Sequence, residues 1–282
     1  MDKAIQKSEF KVNVLCGAAK MSRQNYYKLR CVRSRRAVDE AFVSELVKRE
    51  RRLQPMLGTR KLHHILSDEF CKAGIRIGRD RLFEVLRGNK LLILRRRGFK
   101  PRTTDSRHRF GVYDNLLKDA VLTSSCQAVV SDITYIRTGE GFMYVSLVMD
   151  AYSRAIVGYD CSESLAVEGA FRAMRMAMKN LRCTKDVIHH SDRGLQYCCG
   201  EYVKLLMDSG LRISMTQENH CYENASAERL NGILKQEYGL GGRFLRKSDV
   251  SKALREAVDL YNWRRPHQAL GYRIPMEVHT AA

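Results

Sequence analysis

Ala128-Val129-Val130-Ser131-Asp132-Ile133-Thr134-Tyr135-Ile136 is the stretch whose reading decides the fold. It is β-branched and apolar, and Thr138-Gly139-Glu140-Gly141 beyond it has the composition of a hairpin turn. A second strand is expected over 142–150. A third, over 155–160, follows the short turn Tyr152-Ser153-Arg154. The period then changes: Ala170, Phe171, Met174 and Met178 share one face of a helix spanning about 165–181. A strand at 186–190, a helix at 200–209, a strand at 212–215 and a long helix at 224–238 complete the pattern. Antiparallel strands followed by alternating helices and strands predict an α/β domain with a mixed sheet.

Asp132 interrupts the apolar run, and a carboxylate near the middle of a strand is costly to bury without a partner. Asp192 stands just past Val187-Ile188-His189-His190-Ser191, at the C-terminal end of a strand, where open sheets place their sites. Glu228 lies on the helix after the last strand. Singly, each has an ordinary reading as an edge, turn or solvated acid. If they converge, they repel one another unless a divalent cation neutralises them, and hard oxygen ligands suit Mg²⁺. Two such ions can activate a water or hydroxyl and stabilise the leaving oxygen of an in-line displacement. Asn224, Glu228, Asn231 and Lys235 fall at i, i+4, i+7 and i+11, a polar helix face, while Leu230, Ile233 and Leu234 point elsewhere. That face can hold metal at Glu228 and a phosphate at Lys235.

Upstream, the sequence is helical and basic. Residues 1–104 carry 27 Lys/Arg against 10 Asp/Glu, a balance of +17 out of the chain's net +19. Such asymmetry points to a polyanion, nucleic acid before membrane. Residues 1–52 read as helices around a Gly17-containing turn. Ser22 caps a short helix through Tyr26, Tyr27 and Leu29, and a longer helix runs over 37–52, a helix-turn-helix outline. Residues 53–94 form a second such unit, whose helix from Arg79 to Arg87 turns Leu82, Val85 and Leu86 inward. Arg79, Arg81 and Arg87 then remain to meet guanine edges or phosphates. Residues 95–115, opening with Arg95-Arg96-Arg97, lose all periodicity and read as a basic linker along a phosphate backbone. The catalytic core is placed at 116–240 and its helical tail at 241–282.

Several classes are excluded. No stretch approaches the ~18 consecutive apolar residues of a membrane span. The start Met1-Asp2-Lys3-Ala4-Ile5-Gln6-Lys7 does not lead into a signal-peptide apolar region, so a cytoplasmic location is expected. Nine cysteines without a CxxC pair fit reduced thiols better than a disulfide framework. His63, His64 and Cys71 lack the second ligand pair of a zinc finger.

Ser131-Asp132-Ile133-Thr134-Tyr135, the block from His190 to Tyr197 and the block from Glu223 to Asn231 resemble the three signatures of insertion-sequence transposases with a retroviral-integrase-like core. Tyr261-Asn262-Trp263-Arg264-Arg265-Pro266-His267-Gln268-Ala269-Leu270-Gly271 resembles that family's closing motif, and the basic N-terminal third resembles the helix-turn-helix region of its second reading frame. The likeness covers nearly the whole chain. It implies an RNase-H-like fold and a triad of Asp132, Asp192 and Glu228 binding two Mg²⁺ or Mn²⁺ ions. The implied reaction is hydrolysis at element ends, then attack of the freed 3′-hydroxyl on another phosphodiester. Lys235 matches a basic position that contacts DNA, and Asn231 and Arg193 are further candidate contacts. The chain departs from retroviral integrases at Gly232, where they carry a basic residue, and in lacking their N-terminal His/Cys zinc module. Expected partners are double-stranded DNA, further copies of the chain on that DNA, and a fused or separate upstream-frame protein, because leucine heptads are missing here. In the closing block, Tyr261 and Trp263 are expected to pack a C-terminal helix that Pro266 ends, with Arg264, Arg265 and His267 available to DNA. His190 either orients a metal ligand or packs at the strand end. Rival readings are a non-catalytic DNA-binding regulator and a nuclease that cuts without joining.

Overall fold

A computed structural model describes residues 11–93, 111–217 and 224–281. The chain divides into two compact units, one from 1–50 with 66–92 and one from 51–65 with 93–282. The segment 53–94, read from sequence as one unit, is thus shared between them. Arg95, Arg96 and Arg97 lie outside the described residues.

The first unit is helical. Helix α1 (Val12–Ala18) is followed by a tight turn with Lys20 at φ 50°, and then by α2 (Arg23–Leu53). The Ser22 hydroxyl accepts the Asn25 amide at 3.1 Å, the expected N-cap. The two helices expected over 22–29 and 37–52 are one continuous helix. No glycine or proline between 23 and 53 supplies a break. Helix α3 (Thr59–Lys72) and helix α4 (Arg79–Gly88) follow, with Gly74 at φ +69° closing α3. Within the unit, Arg49 pairs with Glu69, and Arg81 with Glu40, across the helices.

The second unit holds a five-stranded sheet in the order β3-β2-β1-β4-β5. Strands β1 (Ala128–Thr138), β2 (Gly141–Asp150) and β3 (Ile156–Ser162) are antiparallel, whereas β4 (Ile188–Ser191) and β5 (Arg212–Met215) add in parallel. This is the RNase-H-like sheet that the resemblance implies. The central strand β1 buries both faces, which is why its apolar run is nearly unbroken. Ala128, Val130 and Ile136 join a core with α8 (Ala225–Glu237) and α9 (Lys247–Trp263). Val129 faces the opposite core, built from α5 (Val167–Asn180) and α7 (Gly200–Asp208). Short α6 (Leu195–Cys198) and α10 (Pro275–Ala281) complete the unit.

Asp150 locks the β2–β3 turn. Its carboxylate accepts the amides of Cys126 (2.7 Å), Tyr152 (3.2 Å) and Ser153 (2.7 Å) and the Ser153 hydroxyl (2.7 Å). Cys126, Asp150 and His279 bring donor atoms within 4.8 Å of one another. With Asp150 so fully engaged, the cluster reads as a polar knot holding α10 to the sheet.

Candidate active site

The parallel pairing of β1 with β4 builds the site. Ala128, Val129 and Val130 stand opposite Ile188, His189 and His190, a constant offset of 60 residues. The ladder ends two residues short of Asp132, and Asp192 stands just past the end of β4, close enough for its charge to act on Asp132. Burial, and next to it the Asp192 charge, push the Asp132 carboxyl up to about 7. The Ile133 amide (2.9 Å) and the Asn231 side-chain amide (2.7 Å) donate to Asp132 and oppose that shift, while Glu228 adds to it.

Asp192 is held by its own turn. The Gly194 amide donates to its Oδ1 at 3.0 Å, and a Cβ on Gly194 would lie 3.0 Å from the same oxygen. A side chain there would crowd the carboxylate.

Helix α8 supplies the third acid. Asn224 donates to the Ser131 carbonyl at 3.2 Å and Asn231 to Asp132, two attachments seven residues apart on one helix face. Glu228 lies between them on that face and is exposed. Four residues past Asn231, Lys235 places its ammonium 4.8 Å from the Tyr135 ring centroid. Burial lowers the Lys235 pKa, against the pull of Asp132. The predicted polar face therefore runs along β1 from Ser131 to Tyr135.

Among the described residues, three buried oxygens here have no hydrogen-bond partner: Ser191 Oγ, Asn224 Oδ1 and Asn231 Oδ1. A carboxyl whose proton affinity two neighbouring acids raise, with these oxygens around it, fits a divalent cation with its waters.

The remaining candidates fall in varied places. Arg193 donates from Nε to the Thr216 carbonyl at 2.6 Å, so part of its guanidinium is spent inside the protein. Arg79 pairs with Asp80 (3.1 Å), and Arg81 with Glu84 (2.8 Å) as well as Glu40; Arg87 lies 5.0 Å over the exposed Phe83 ring. His190 is buried and shares a hydrogen bond with Ser214 at 2.8 Å, a packed strand histidine. Its neighbour His189, bonded to Ser131 (2.9 Å) and Tyr202 (3.1 Å), is pushed down to about 3 by burial and stays neutral.

The closing block differs from expectation at two residues. Trp263 is 58% exposed, while Tyr261 and Asn262 are buried. Trp263 ends α9 on its outer face, two positions from Tyr261, so helical spacing cannot bury both. Arg265 is 2% exposed and bonded to Glu237, which leaves it unable to meet DNA in this conformation. Neither Asn224 as a clamp nor Glu237 as an ion-pair partner was singled out from sequence. The signal for Asn224 was its place on the Glu228 face; for Glu237 a solvated helix end reads identically.

Comparison with known proteins agrees with this architecture. The integrase core domain family matches residues 123–221, and a second integrase core domain family matches 209–275. The chain is 34% identical over 261 residues to an insertion element IS600 uncharacterized 31 kDa protein of Shigella sonnei, spanning 91% of this chain and 94% of that one. It is 32% identical over 216 residues to the transposase for insertion sequence element IS629 of Shigella sonnei, with coverages of 76% and 71%. Among solved structures, the HTLV-2 integrase catalytic core domain in complex with magnesium aligns with TM-score 0.44 and 16% identity, over 55% of this chain and 97% of that one. With matched domains from 123 to 275 and relatives spanning most of its length, the chain belongs to the insertion-sequence transposases with an integrase core, and its function is DNA transposition.

Proposed function

We propose that the chain performs metal-dependent 3′-end cleavage and strand transfer of an insertion sequence, with Asp132, Asp192 and Glu228 as its catalytic and metal-holding residues. The observation that carries this reading is the convergence on Asp132: the Asp192 and Glu228 charges both act on its carboxyl, and Asn231 bonds to it from the helix that bears Glu228. Two Mg²⁺ or Mn²⁺ ions, when bound, supply activation of the attacking oxygen and stabilisation of the leaving one. The protein's own part is positional. Asn231 and the Ile133 amide orient Asp132, Gly194 orients Asp192, and the Asn224 and Asn231 attachments hold α8 so that Glu228 faces the pair. Lys235 meets a phosphate of the end strand, keeping it in the water-poor rim beside Asp132.

The basic N-terminal helices grip the element ends, with Arg79, Arg81, Arg87 and the Arg95-Arg96-Arg97 linker contributing charge along the backbone. Arg193 and Asn231 serve the core more than the DNA. Joining two ends calls for more than one copy of the chain on DNA, and an upstream-frame protein, fused or separate, supplies the missing oligomerisation element. Among the described residues no helix is long and apolar enough to cross a membrane. A cytoplasmic, nucleoid-associated location suits a protein whose substrate is the chromosome.

Incubation of the protein with an end-containing duplex and Mg²⁺, beside an Asp192→Asn control, tests the reading. Nicked and joined products from wild type alone are expected. Nicking without joining establishes the nuclease reading instead, and identical products from both proteins overturn the enzymatic assignment.

A further inference from the structure

Lys235 has an aromatic partner. Its ammonium lies over the face of Tyr135, 4.8 Å from the centroid, and that ring meets Phe142 edge-on at 5.5 Å and 89°. Tyr135 stands opposite Tyr144 and Arg137 opposite Phe142, so Phe142 is the diagonal neighbour that fixes the Tyr135 ring plane. Tyr135 and Phe142 belong to neither apolar core, and Phe142 is 46% exposed. Two aromatic rings on the rim of the sheet therefore serve something other than core packing. We infer that Tyr135 is a positioning residue for Lys235, its ring face holding the ammonium toward a phosphate of the DNA end strand.

The physical case rests on what a ring does that a carboxylate does not. Lysine has a flexible stem and a compact charge, and an unrestrained Lys235 would spread over many rotamers. An acidic partner would fix it but also neutralise it. A ring face attracts the cation without supplying a counter-charge, so the ammonium remains able to meet a phosphate. Asp132, three residues earlier on the same strand, adds an attractive field from the side of the acids. Fixing the side chain before DNA arrives removes an ordering cost from binding.

This inference rests on Lys235 as a DNA contact, and the test separates the two. Binding of the full chain to a labelled end duplex is measured across a salt series for wild type, Lys235→Ala, Tyr135→Leu, Tyr135→Phe and the Tyr135→Leu/Lys235→Ala double variant. Circular dichroism checks folding of each. Loss of one phosphate contact should weaken binding roughly tenfold and reduce the salt slope by about one. Tyr135→Leu should approach the Lys235→Ala loss, Tyr135→Phe should restore it, and the double variant should be no worse than Lys235→Ala alone. Full affinity for Tyr135→Leu, or losses that multiply in the double variant, overturns the positioning role. Wild-type affinity for Lys235→Ala overturns the contact itself, and the inference with it. If Tyr135→Leu does not fold, ¹³C-dimethylated wild type decides instead. The resonance absent from Lys235→Ala should be shifted upfield by the ring current, and a position matching the solvent-exposed lysines overturns the proposal.

Discussion

Arg265 closes a bidentate pair with Glu237, Nε to Oε2 at 2.7 Å and Nη2 to Oε1 at 2.9 Å, from a guanidinium that is 2% exposed. The pair ties the closing sequence block to the last residue of α8, the helix that carries Glu228 and Asn231. Lys61 reaches the same carboxylate at 2.8 Å and 3.0 Å, and Tyr238 donates to Gln54 at 3.0 Å. Burial raises the proton affinity of Glu237, but the Arg265 and Lys61 bonds outweigh it and hold the carboxyl below its ordinary value. Lys61 is itself held below its ordinary value by burial and by Arg265, in spite of Glu237. Arg265 is thus the principal partner and Lys61 the auxiliary one, which assigns this buried arginine to anchoring α8.

Replacing Arg265 with leucine should destabilise the core unit by about 2–4 kcal/mol, since it strands a largely buried carboxylate with one partner. Arg265→Lys should recover only part of this, because an ammonium cannot make the paired bonds. Glu237 has a depressed folded pKa, so its contribution is fully present above 4.5, its unfolded value, and is lost as pH falls through the lower folded one. Urea midpoints of wild type and Arg265→Leu should therefore be well separated at pH 7 and converge in acid. Equal midpoints at pH 7 would show that the pair does not anchor the helix.

Asp132 behaves in the opposite sense. Its folded pKa, about 7, lies above the 3.8 of an unperturbed aspartate, so the native state holds a proton that the unfolded chain has released. With metal chelated, stability should fall as pH rises from about 4 to 7, by as much as about 4 kcal/mol. Asp132→Asn should remove that slope and melt higher than wild type at pH 7.5. Mg²⁺ or Mn²⁺ should raise the melting temperature of wild type and leave Asp132→Asn unmoved. A pH-independent wild-type melt in chelator would contradict the coupling.

The strands and helices were legible because their determinants are local. A nearly unbroken apolar, β-branched run marks β1, and the 212–215 strand matches the observed β5 residue for residue. The stripe Asn224, Glu228, Asn231, Lys235 could be drawn from spacing alone. What spacing cannot give is which element the stripe faces, so Asn231 read as a DNA contact although it bonds Asp132. The constant offset of 60 between β1 and β4 is a long-range pairing with no local trace. Trp263 and Arg265 misled for a related reason: a tryptophan suggests burial and an arginine exposure, and tertiary packing reversed both.

Gly158 on β3 marks a close approach of the sheet to α5. A Cβ there would stand 2.1 Å from the Ala173 carbonyl oxygen and 2.8 Å from the Ala177 amide nitrogen, and backbone cannot move aside as a side chain can. Gly158→Ala should cost about 3 kcal/mol or more, at the upper end of overpacking. For a unit of this size that is a drop of roughly 6–12 °C in melting temperature. Calorimetry within a degree or two of wild type would rule out the close approach.

Asn231 distinguishes positioning from DNA contact. Leucine there keeps the bulk and removes the amide that donates to Asp132 at 2.7 Å, while Asn224 still fastens α8 to the Ser131 carbonyl. Without that donor the Asp132 carboxylate loses an orienting bond and its proton is held more tightly. Loss of a group that orients a metal-holding carboxylate typically lowers activity by about 10–100-fold. End cleavage by Asn231→Leu should fall by that factor and recover partly at higher Mn²⁺ concentration, where binding compensates for a poorly aligned ligand. Affinity for the end duplex should change little, because the amide faces the acid and not the solvent. A loss of affinity matching the loss of cleavage, with no response to Mn²⁺, would instead make Asn231 a DNA contact.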